Sequence, residues 1–385
     1  MDRADRDMFF ALLRSAVCGG RLDESERWEL SPRQLGALMQ LGRRHDIAHL
    51  VAAAAKKEDL KLPCDSDRAV YTAVYRGEQM AYELENICTV LEQAAVDHIP
   101  LKGAVVRQYY PEPWMRTSCD IDLLVRAQDA DGAIAALAAA GYMRTEDNSV
   151  HDFCLRSPGG VHIELHHTLT QDGAVKRADK ILEGVWDECS AKDGWQHRQQ
   201  MSGEMLIFYH LAHMAKHLLS GGCGVRSFVD LWLMENKISI DKSRLHKLLE
   251  MGGLDRFYGA SHKLAQVWLD KKAHTETTQE LESYVLRGGV YGSCENAACA
   301  EAAVGVGRLR SFFRMMFLPR SNLCVIYPRL ASRPYLAPLY QVRRWLRIFD
   351  KNKRSRLNYL TRTRAAVPDG RAEATGRLLD EIGLL

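Results

Sequence analysis

Two carboxylates two residues apart are the feature of this sequence that most directly suggests chemistry. Asp120 and Asp122 lie in the segment 119–125, whose apolar residues alternate with the acids or follow them and so predict a β-strand. Because side chains alternate between the two faces of a strand, both carboxylates leave the same face. Two like charges this close repel each other unless a cation lies between them. The spacing therefore predicts a cation-binding site.

A third acid is predicted to complete that site from another strand. In the segment 161–167, His162, Glu164 and His166 share one face, and the apolar residues between them share the other. Hard oxygen ligands of this kind suit Mg²⁺ or Mn²⁺ better than Zn²⁺. Two such ions about 3.5–4 Å apart can hold the attacking and leaving oxygens of a phosphoryl or nucleotidyl transfer. For His166, two interpretations stay open: a contact in the active site and a structural hydrogen bond.

Such a transfer also needs a place for phosphates, and the sequence offers one upstream of the acids. Lys102, Gly103 and Ala104 follow a short predicted strand and begin a predicted helix that runs to about residue 110. Glycine lets the backbone approach a phosphate closely, and the first N–H groups of a helix are free donors. Lys102 and Arg116 would add positive charge against a polyphosphate. A lone Asp-x-Asp is more often a solvated strand end, but the order of these motifs together is far more specific.

Helices and short strands alternate around these residues. Ser31, followed by a proline and Gln34, predicts a capped helix start, and Ser66 predicts the start of a long helix toward residue 96. Strands are predicted at 98–101, 119–125, 152–156 and 161–167, and helices at 128–140, from 204 to the glycines at 221–222, at 225–235 and between 242 and 270. The predicted fold is α/β but mostly helical, with a small mixed β-sheet that carries the carboxylates.

We divide this predicted fold into four parts. They are a helical N-terminal subdomain (1–97), an α/β core that holds the acids (98–200), a helical domain that closes a cleft over the core (201–303) and a basic C-terminal helical extension (304–385). The N-terminal helices are expected to serve as packing elements, because their apolar residues recur at three- and four-residue steps.

Composition is typical of an ordinary globular protein. Of 385 residues, 46% are hydrophobic and 26% are charged, a mixture that excludes a wholly disordered chain. The 52 Lys and Arg against 49 Asp and Glu leave a net charge of +3, too small to indicate a nucleic-acid binder. No apolar run of about 18 residues predicts a membrane span, and the first residues make a poor signal peptide. We expect a cytoplasmic protein whose ten cysteines are reduced thiols.

A helical segment downstream of the acids carries further polar candidates. His210, His213 and His217 share one helical face. Without a neighbouring carboxylate they make a poor zinc site. They either line a cleft opposite the carboxylates, with His217 as a nucleotide contact, or are ordinary partly buried histidines. Arg226 and Asp230 are four residues apart, so a salt bridge on one helix is the simplest expectation. Glycines precede Arg226 in the chain, and a loop-borne role in holding a nucleotide or an acceptor stays open.

The stretch 304–366 is rich in arginine and aromatic residues. Its arginines are answered by a single acid, Asp350; they include Arg308, Arg310, Arg314, Arg320, Arg329, Arg333, Arg343, Arg344 and Arg347. Arginines with stacking aromatics can bind nucleic acid, and a basic amphipathic helix can lie on an anionic membrane. We favour a third interpretation, a helix around residues 343–349 that docks on the rest of the protein. Nucleic-acid binding stays an alternative that we do not favour.

Taken together, these motifs resemble those of a known family. The residues that carry the likeness are Leu101-Lys102-Gly103, Tyr110-Pro111, Arg116, the run from Asp120 to Val125, and Ile163-Glu164-Leu165-His166. They are similar to the uncharacterised nucleotidyltransferase family, which belongs to the superfamily of DNA polymerase β and the aminoglycoside nucleotidyltransferases. The resemblance covers most of residues 80–350 and is sharp over residues 101–167.

The resemblance implies a metal-dependent enzyme. It would move a nucleoside monophosphate from an NTP such as ATP to a hydroxyl of a small molecule or a protein, with release of pyrophosphate and with Mg²⁺ or Mn²⁺ as the cofactor. By matching motif positions, Asp120 and Asp122 would bind the metals, Glu164 would be the third carboxylate near the attacking hydroxyl, and Gly103 would approach the triphosphate. The superfamily usually has Gly-Ser where this chain has Gly103 and Ala104, so one hydroxyl contact is missing.

That missing hydroxyl supports an alternative of another class. The protein would then be a weakly catalytic or non-catalytic nucleotide-binding partner that regulates or scaffolds a biosynthetic or toxin–antitoxin system. A third interpretation, an RNA-tailing enzyme, would require the arginine-rich stretch to bind RNA. Lengthened RNA products that depend on this stretch would distinguish it from the other two.

Overall fold

The computed structural model describes most of the chain, namely residues 3–23, 31–60, 66–145, 152–170, 173, 175–290, 292–303, 317, 318, 320, 323, 327, 330, 333–346 and 369–385. Its α-helices, in chain order, are α1 (Arg3–Val17), α2 (Pro32–Arg44), α3 (Ala48–Lys57), α4 (Ser66–Gln93), α5 (Gly103–Val106), α6 (Ala130–Ala139), α7 (Lys176–Leu182), α8 (Gly203–Leu219), α9 (Val225–Lys237), α10 (Lys242–Gly252), α11 (Asp255–Leu269), α12 (Glu276–Gly288), α13 (Cys294–Ala303), α14 (Ala337–Leu346) and α15 (Asp369–Glu381). The fold is α/β and mostly helical, as predicted.

The strands form a mixed five-stranded sheet and a separate hairpin. The strands are β1 (His98–Pro100), β2 (Asp120–Val125), β3 (Met143–Arg144), β4 (Asp152–Arg156), β5 (His162–His166), β6 (Cys189–Ala191) and β7 (Gln199–Met201). The five-stranded sheet has the order β1-β2-β5-β4-β3, and β6 pairs with β7. Strands β2 and β5 run parallel, whereas the other pairs in the sheet are antiparallel. The sheet therefore brings its two acid-bearing strands side by side.

The two faces of this sheet have different neighbours. On one face, Ile121, Leu123 and Val125 of β2 join Ile163 and Leu165 of β5 in a core with apolar residues of α4 and α6. The opposite face carries the acids. On that side a second and larger core joins helices α1, α2 and α3 to α8, α9, α11 and α12. The alternation seen in the sequence thus buries one face of β2 and β5 and leaves the other for polar groups.

The helix starts predicted from sequence are confirmed. Ser31 caps α2 in a reciprocal capping box with Gln34. Helix α4 begins at Ser66, but the buried Ser66 hydroxyl has no hydrogen-bond partner among the described residues, so the predicted cap is not formed. The predicted strands and the helices after residue 204 appear within a few residues of their predicted ends. These elements were predictable because caps and apolar periodicity act within a few residues along the chain. The hairpin of β6 and β7 and helix α7 lie in a segment for which the sequence pattern made no assignment.

The helix predicted from Lys102 to about Tyr110 is shorter than expected. Helix α5 is a single turn, continued by a 3₁₀ turn at Arg107–Tyr109. Tyr110 is extended, with φ −74° and ψ 155°, because it precedes Pro111, and the residue before a proline avoids the helical region. The N-terminus of α5 is thus one turn of backbone rather than the end of a long helix.

Several expectations concern the C-terminal stretch and the cysteines. Helix α14 lies in the basic stretch, and there Tyr340 packs on Tyr327 with ring centroids 4.8 Å apart. Arg308, Arg310, Arg314, Arg329 and Arg347 lie outside the described residues. Of the cysteines, Cys18, Cys88, Cys119, Cys154, Cys189, Cys223, Cys294 and Cys299 are free thiols, whereas Cys64 and Cys324 lie outside the described residues. Within the described part of the chain, no helix combines the length and apolarity needed to cross a bilayer.

Candidate functional site

Strand register brings two of the predicted acids together. In the parallel pair β2–β5, Asp122 is the direct partner of Glu164, and Asp120 is the partner of His162. Residues in register on neighbouring strands share a face, so all four side chains lie on the polar face of the sheet. Carboxylates from two separate strands therefore lie next to each other, as the predicted cation site requires.

Asp122 is the buried centre of this polar face. Its carboxylate Oδ1 accepts a hydrogen bond from Lys102 Nζ at 2.7 Å and lies 2.9 Å from His166 Nε2. Only 4% of the Asp122 side chain is exposed. Burial on its own raises the pKa of Asp122, but the charge of Lys102 and the hydrogen bond from His166 outweigh burial and hold it below its usual value. Asp122 is therefore a buried carboxylate kept ionised by two cationic partners.

The same contacts act on the two cations. Burial on its own lowers the pKa of Lys102, but the charge of Asp122 raises it above its ordinary value. For His166, burial again lowers the pKa, and hydrogen bonds to Asp122 and Glu164 raise it to about 9. Both side chains are thus positively charged near neutral pH.

His166 also has a carboxylate on its other side. Its Nδ1 lies 4.0 Å from Asp152 Oδ2, and β4–β5 pairing makes Asp152 its direct strand partner. A metal binds only a deprotonated imidazole nitrogen, so a cation bound at Nε2 would displace the proton that His166 shares with Asp122. The donor atoms of Asp122, Glu164 and His166 all lie within 4.8 Å of one another. Two carboxylates and one imidazole form a donor set that fits a small divalent cation, with Mn²⁺ tolerating the nitrogen ligand better than Mg²⁺.

Asp120 lies beside this group of three rather than within it. Burial, followed by the charges of Asp122 and Glu164, raises its pKa to about 6. A carboxyl group with such neighbours is stabilised in its charged form when a cation arrives. The site thus has the three predicted acids on one face, together with a histidine that the sequence left open.

Lys102 and Gly103 form a tight corner next to Asp122. Lys102 has φ 46°, a left-handed conformation that is unusual for a residue other than glycine and is often found at functional sites. A Cβ on Gly103 would lie 3.1 Å from the Cβ of Ser118 and 3.3 Å from Nη1 of Arg116. Ala104 follows on the single turn of α5. Because a Cβ would crowd these two side chains, glycine allows the close approach of this turn to the loop before β2.

Arg116 is engaged in a buried ion pair. Its Nε donates to both oxygens of Asp230, at 2.8 and 2.9 Å, and Tyr110 Oη donates to the same carboxylate at 2.7 Å. Burial on its own raises the pKa of Asp230, and the charge of Arg116 outweighs this effect and lowers it. This pair ties α9 to the loop that leads into β2. The contact predicted between Arg116 and pyrophosphate stays a prediction. In the structure the guanidinium binds the Asp230 carboxylate instead.

The salt bridge expected between Arg226 and Asp230 is not formed. Both residues belong to the described part of the chain, and each has another partner: Arg226 pairs with Asp46 and also donates to the carbonyl of Thr117 at 3.0 Å, whereas Asp230 binds Arg116. Helical spacing placed the two side chains on one face, but packing of α9 against the α2–α3 corner and the 116–118 loop supplied other partners. A nucleotide or acceptor contact for Arg226 stays a prediction.

Helix α8 faces the carboxylates from the other side. Nε2 of His213 lies 3.0 Å from Nε2 of His217. Burial lowers the pKa of both histidines, and the positive charge of Lys102 lowers it further, to about 4 for His217. Tyr209, one turn earlier, is buried. Burial raises its pKa, the charge of Lys102 lowers it, and the charges of Asp122 and Glu164 raise it. The face of Tyr209, His213 and His217 therefore lies in the electrostatic range of Lys102.

His210, the remaining histidine of that segment, has a different role. His210 Nε2 lies 2.8 Å from the carbonyl of Ser227 on α9, so it joins two helices.

Sequence analysis missed Tyr209 and Asp152 as neighbours of the acids. The i, i+4, i+8 spacing of Tyr209 with His213 and His217 is a signal that could have identified the first, whereas Asp152 became a neighbour only through strand order.

The fold and this site define the general class of the protein. A small mixed sheet with two adjacent acid-bearing strands and a lysine–glycine corner is an arrangement that can bind a divalent cation, as metal-assisted nucleotidyl transfer requires. A family model described as "Uncharacterised nucleotidyltransferase" matches residues 31–270. Because this match covers more than half of the 385 residues, the chain belongs to that nucleotidyltransferase family. Among curated proteins, none matches the sequence.

Proposed function

We propose that the protein moves a nucleoside monophosphate from an NTP to a hydroxyl group of a small molecule or a protein side chain and releases pyrophosphate. The observation that carries this proposal is the direct pairing of Asp122 with Glu164 on parallel strands, with Lys102 bound to Asp122. Membership in the nucleotidyltransferase family supports the reaction class.

In this proposal the acidic face binds the cofactor. Asp122 and Glu164 would hold Mg²⁺ or Mn²⁺, with His166 as an additional nitrogen donor once it loses its proton, and Asp120 would act as a further acid beside them. When bound, the divalent cation would withdraw charge from the α-phosphate and stabilise the leaving oxygen. The raised pKa of Asp120, caused by burial and by its two acidic neighbours, supports a cation here because a cation removes their mutual repulsion.

The other groups act on the substrates. Lys102 and the backbone at Gly103 and Ala104 contact the triphosphate and balance the charge of the leaving pyrophosphate. Glu164 assists removal of the proton from the acceptor hydroxyl, whose oxygen then forms the new bond to the α-phosphorus. Its side chain is 26% exposed, which leaves it open to an acceptor.

A direct experiment tests the reaction. The purified full-length protein is incubated with Mg²⁺ or Mn²⁺ and each of the four α-labelled NTPs, with cell extract as the source of acceptors. We expect release of pyrophosphate together with label on an acceptor, and loss of both in Asp122→Asn, which keeps the volume of the side chain but removes its charge. An exposed aspartate away from the site, as in Asp193→Asn, is the matched control.

A different result would favour a binding function. Tight NTP binding without release of pyrophosphate under any of these conditions would contradict the enzyme and support the nucleotide-binding regulatory partner. The absence of a hydroxyl at Ala104 is the sequence feature that agrees with that second function.

A further inference from the structure

Two positive groups already lie on the carboxylate that is best placed to hold a metal. Lys102 Nζ is 2.7 Å from Asp122 Oδ1, and His166 Nε2 is 2.9 Å from the same oxygen. The oxygen belongs to a side chain that is almost fully buried. Because water has little access to it, these two contacts supply the compensation that a buried charge requires.

Lys102 differs from His166 in what it can do next. His166 sits within β5 and has Asp152 behind it, so it is held in place on the polar face. The Lys102 side chain is 25% exposed and extends from a corner with φ 46°, directly before Gly103. The long, flexible side chain of a lysine at the edge of the site can exchange one anionic partner for another, whereas the short side chain of a histidine within a strand reaches far less.

A divalent cation and the ammonium of Lys102 compete for the same oxygen. Each is positive, and in a buried site like charges repel strongly. A triphosphate at the Gly103 corner would offer Lys102 a second anionic partner within reach of its own backbone position. The arrival of phosphate would therefore free Asp122 for the cation.

From this geometry we infer that Lys102 is a positioning residue that holds Asp122 until a nucleotide draws it away, so that nucleotide and divalent cation bind together. The competition between Lys102 and the cation stands on the Lys102–Asp122 contact alone. Only the role of the nucleotide rests on the proposed function.

Binding of Mn²⁺ without nucleotide tests the first part. The free Mn²⁺ signal in electron paramagnetic resonance is measured with the wild-type full chain, Lys102→Met and Lys102→Arg. We expect Lys102→Met to bind Mn²⁺ at least about tenfold more tightly than wild type, because one repelling charge is removed, and Lys102→Arg to resemble wild type. The double variant with Asp122→Asn should lose the gain. Lys247→Met, at an exposed lysine of α10, is the matched control, and circular dichroism confirms that each variant is folded.

Binding of a fluorescent, non-hydrolysable ATP analogue with Mn²⁺ tests the second part. We expect Lys102→Met to bind the analogue more weakly than wild type, although it binds the metal more tightly. Equal or weaker Mn²⁺ binding by folded Lys102→Met would overturn the inference whatever the reaction of the protein. Unchanged analogue binding would overturn the coupling to nucleotide. If no variant bound the analogue while Lys102→Met still gained Mn²⁺ affinity, the proposed function would fail and the competition would stand.

Discussion

At the scale of single residues, the surroundings of Asp120 and Asp122 distinguish two carboxylates of the same type. Asp120 and Asp122 have the same side-chain type and share one strand face, yet their surroundings shift their pKa values in opposite directions. Asp122 has Lys102 and His166 as partners, whereas Asp120 is affected most by burial and by its acidic neighbours. Two carboxylates tuned apart in this way can take different roles in one site.

The substitution His166→Gln tests whether His166 is a metal ligand or only a hydrogen-bond donor to Asp122. Gln at this position can still donate to Asp122 but lacks the imidazole nitrogen. If His166 contributes to the metal site, His166→Gln should weaken Mn²⁺ binding about 10–100-fold, the range found when groups around a metal are altered. Calorimetric titration with Mn²⁺ measures this effect. His246→Gln, at an exposed histidine of α10, is the control, and unchanged affinity in His166→Gln would limit His166 to its hydrogen bond with Asp122.

At the scale of elements, the site is assembled by short connections rather than by long helices. The corner between β1 and α5 carries Lys102 and Gly103, and the loop before β2 carries Arg116, Thr117 and Ser118. Helix α9 fixes this loop through Asp230 and Arg226. The position of β2 therefore depends on α9, although the two are separated by about a hundred residues of chain.

The Gly103 corner gives a prediction about nucleotide binding. An added methyl group would press against Ser118 and Arg116 at 3.1 and 3.3 Å and would displace the backbone that the proposal assigns to phosphate binding. Gly103→Ala should weaken binding of an ATP analogue about tenfold or more, equivalent to about 1.4 kcal/mol, and leave Mn²⁺ binding in place. Fluorescence anisotropy measures the first quantity. Gly132→Ala, where the added Cβ has no heavy atom within 4 Å, serves as the control; equal losses in both variants would argue against a phosphate site here.

The buried pair between α9 and the loop before β2 gives a prediction about stability. In Asp230→Asn, Arg116 would keep a buried positive charge without its counter-ion, which typically costs about 3 kcal/mol or more. In Tyr110→Phe, only one hydrogen bond to the carboxylate is lost, at about 1.5 kcal/mol. Urea unfolding followed by circular dichroism should rank the free energy of unfolding as wild type above Tyr110→Phe above Asp230→Asn. A fully stable Asp230→Asn would show that the pair does not hold the loop.

At the scale of the whole molecule, one large core joins the first three helices to the helices after residue 203. The division of the chain at residues 97, 200 and 303 stays a prediction, but apolar side chains from both ends of the chain share this core. Arg6 of α1, for example, bonds Glu282 of α12 at 3.0 Å. Such packing makes the helical layer across the acids part of the main body of the protein.

Buried neutral histidines in this body predict sensitivity to acid. Burial lowers the pKa of His45 to about 4, and burial with the charge of Lys102 lowers that of His217 to about 4. Since the unfolded-state value is about 6.5, the unfolded chain binds more protons between pH 6.5 and 4. The free energy of unfolding should therefore fall as the pH is lowered through this window, by up to about 1.4 kcal/mol per pH unit for each histidine.

Thermal unfolding at a series of pH values from 7.5 to 4.5 measures this dependence. The slope should be smaller in His45→Gln, which removes one of the titrating groups, and unchanged in His246→Gln, whose side chain is exposed. Because the raised pKa of Asp120 has the opposite effect below about pH 6, the deciding comparison is between variants. Equal slopes in wild type and His45→Gln would contradict the assignment of His45 as a buried neutral group.

The sequence by itself determined the local geometry of the site. Alternation placed Asp120 and Asp122 on one strand face and Glu164 on the polar face of another strand, and the Ser31 cap and the apolar repeats located the helices. These properties depend on backbone geometry over a few residues, so they can be inferred without knowing the rest of the chain.

Only the tertiary structure decided which groups meet. Parallel register set Asp122 opposite Glu164, strand order brought Asp152 to His166, and packing gave Asp230 to Arg116 rather than to Arg226, four residues away. A buried charged side chain pairs with an opposite charge that packing brings close to it, and that packing involves segments far apart in sequence. For this reason the acids could be located from the sequence, whereas the partners that tune them could not.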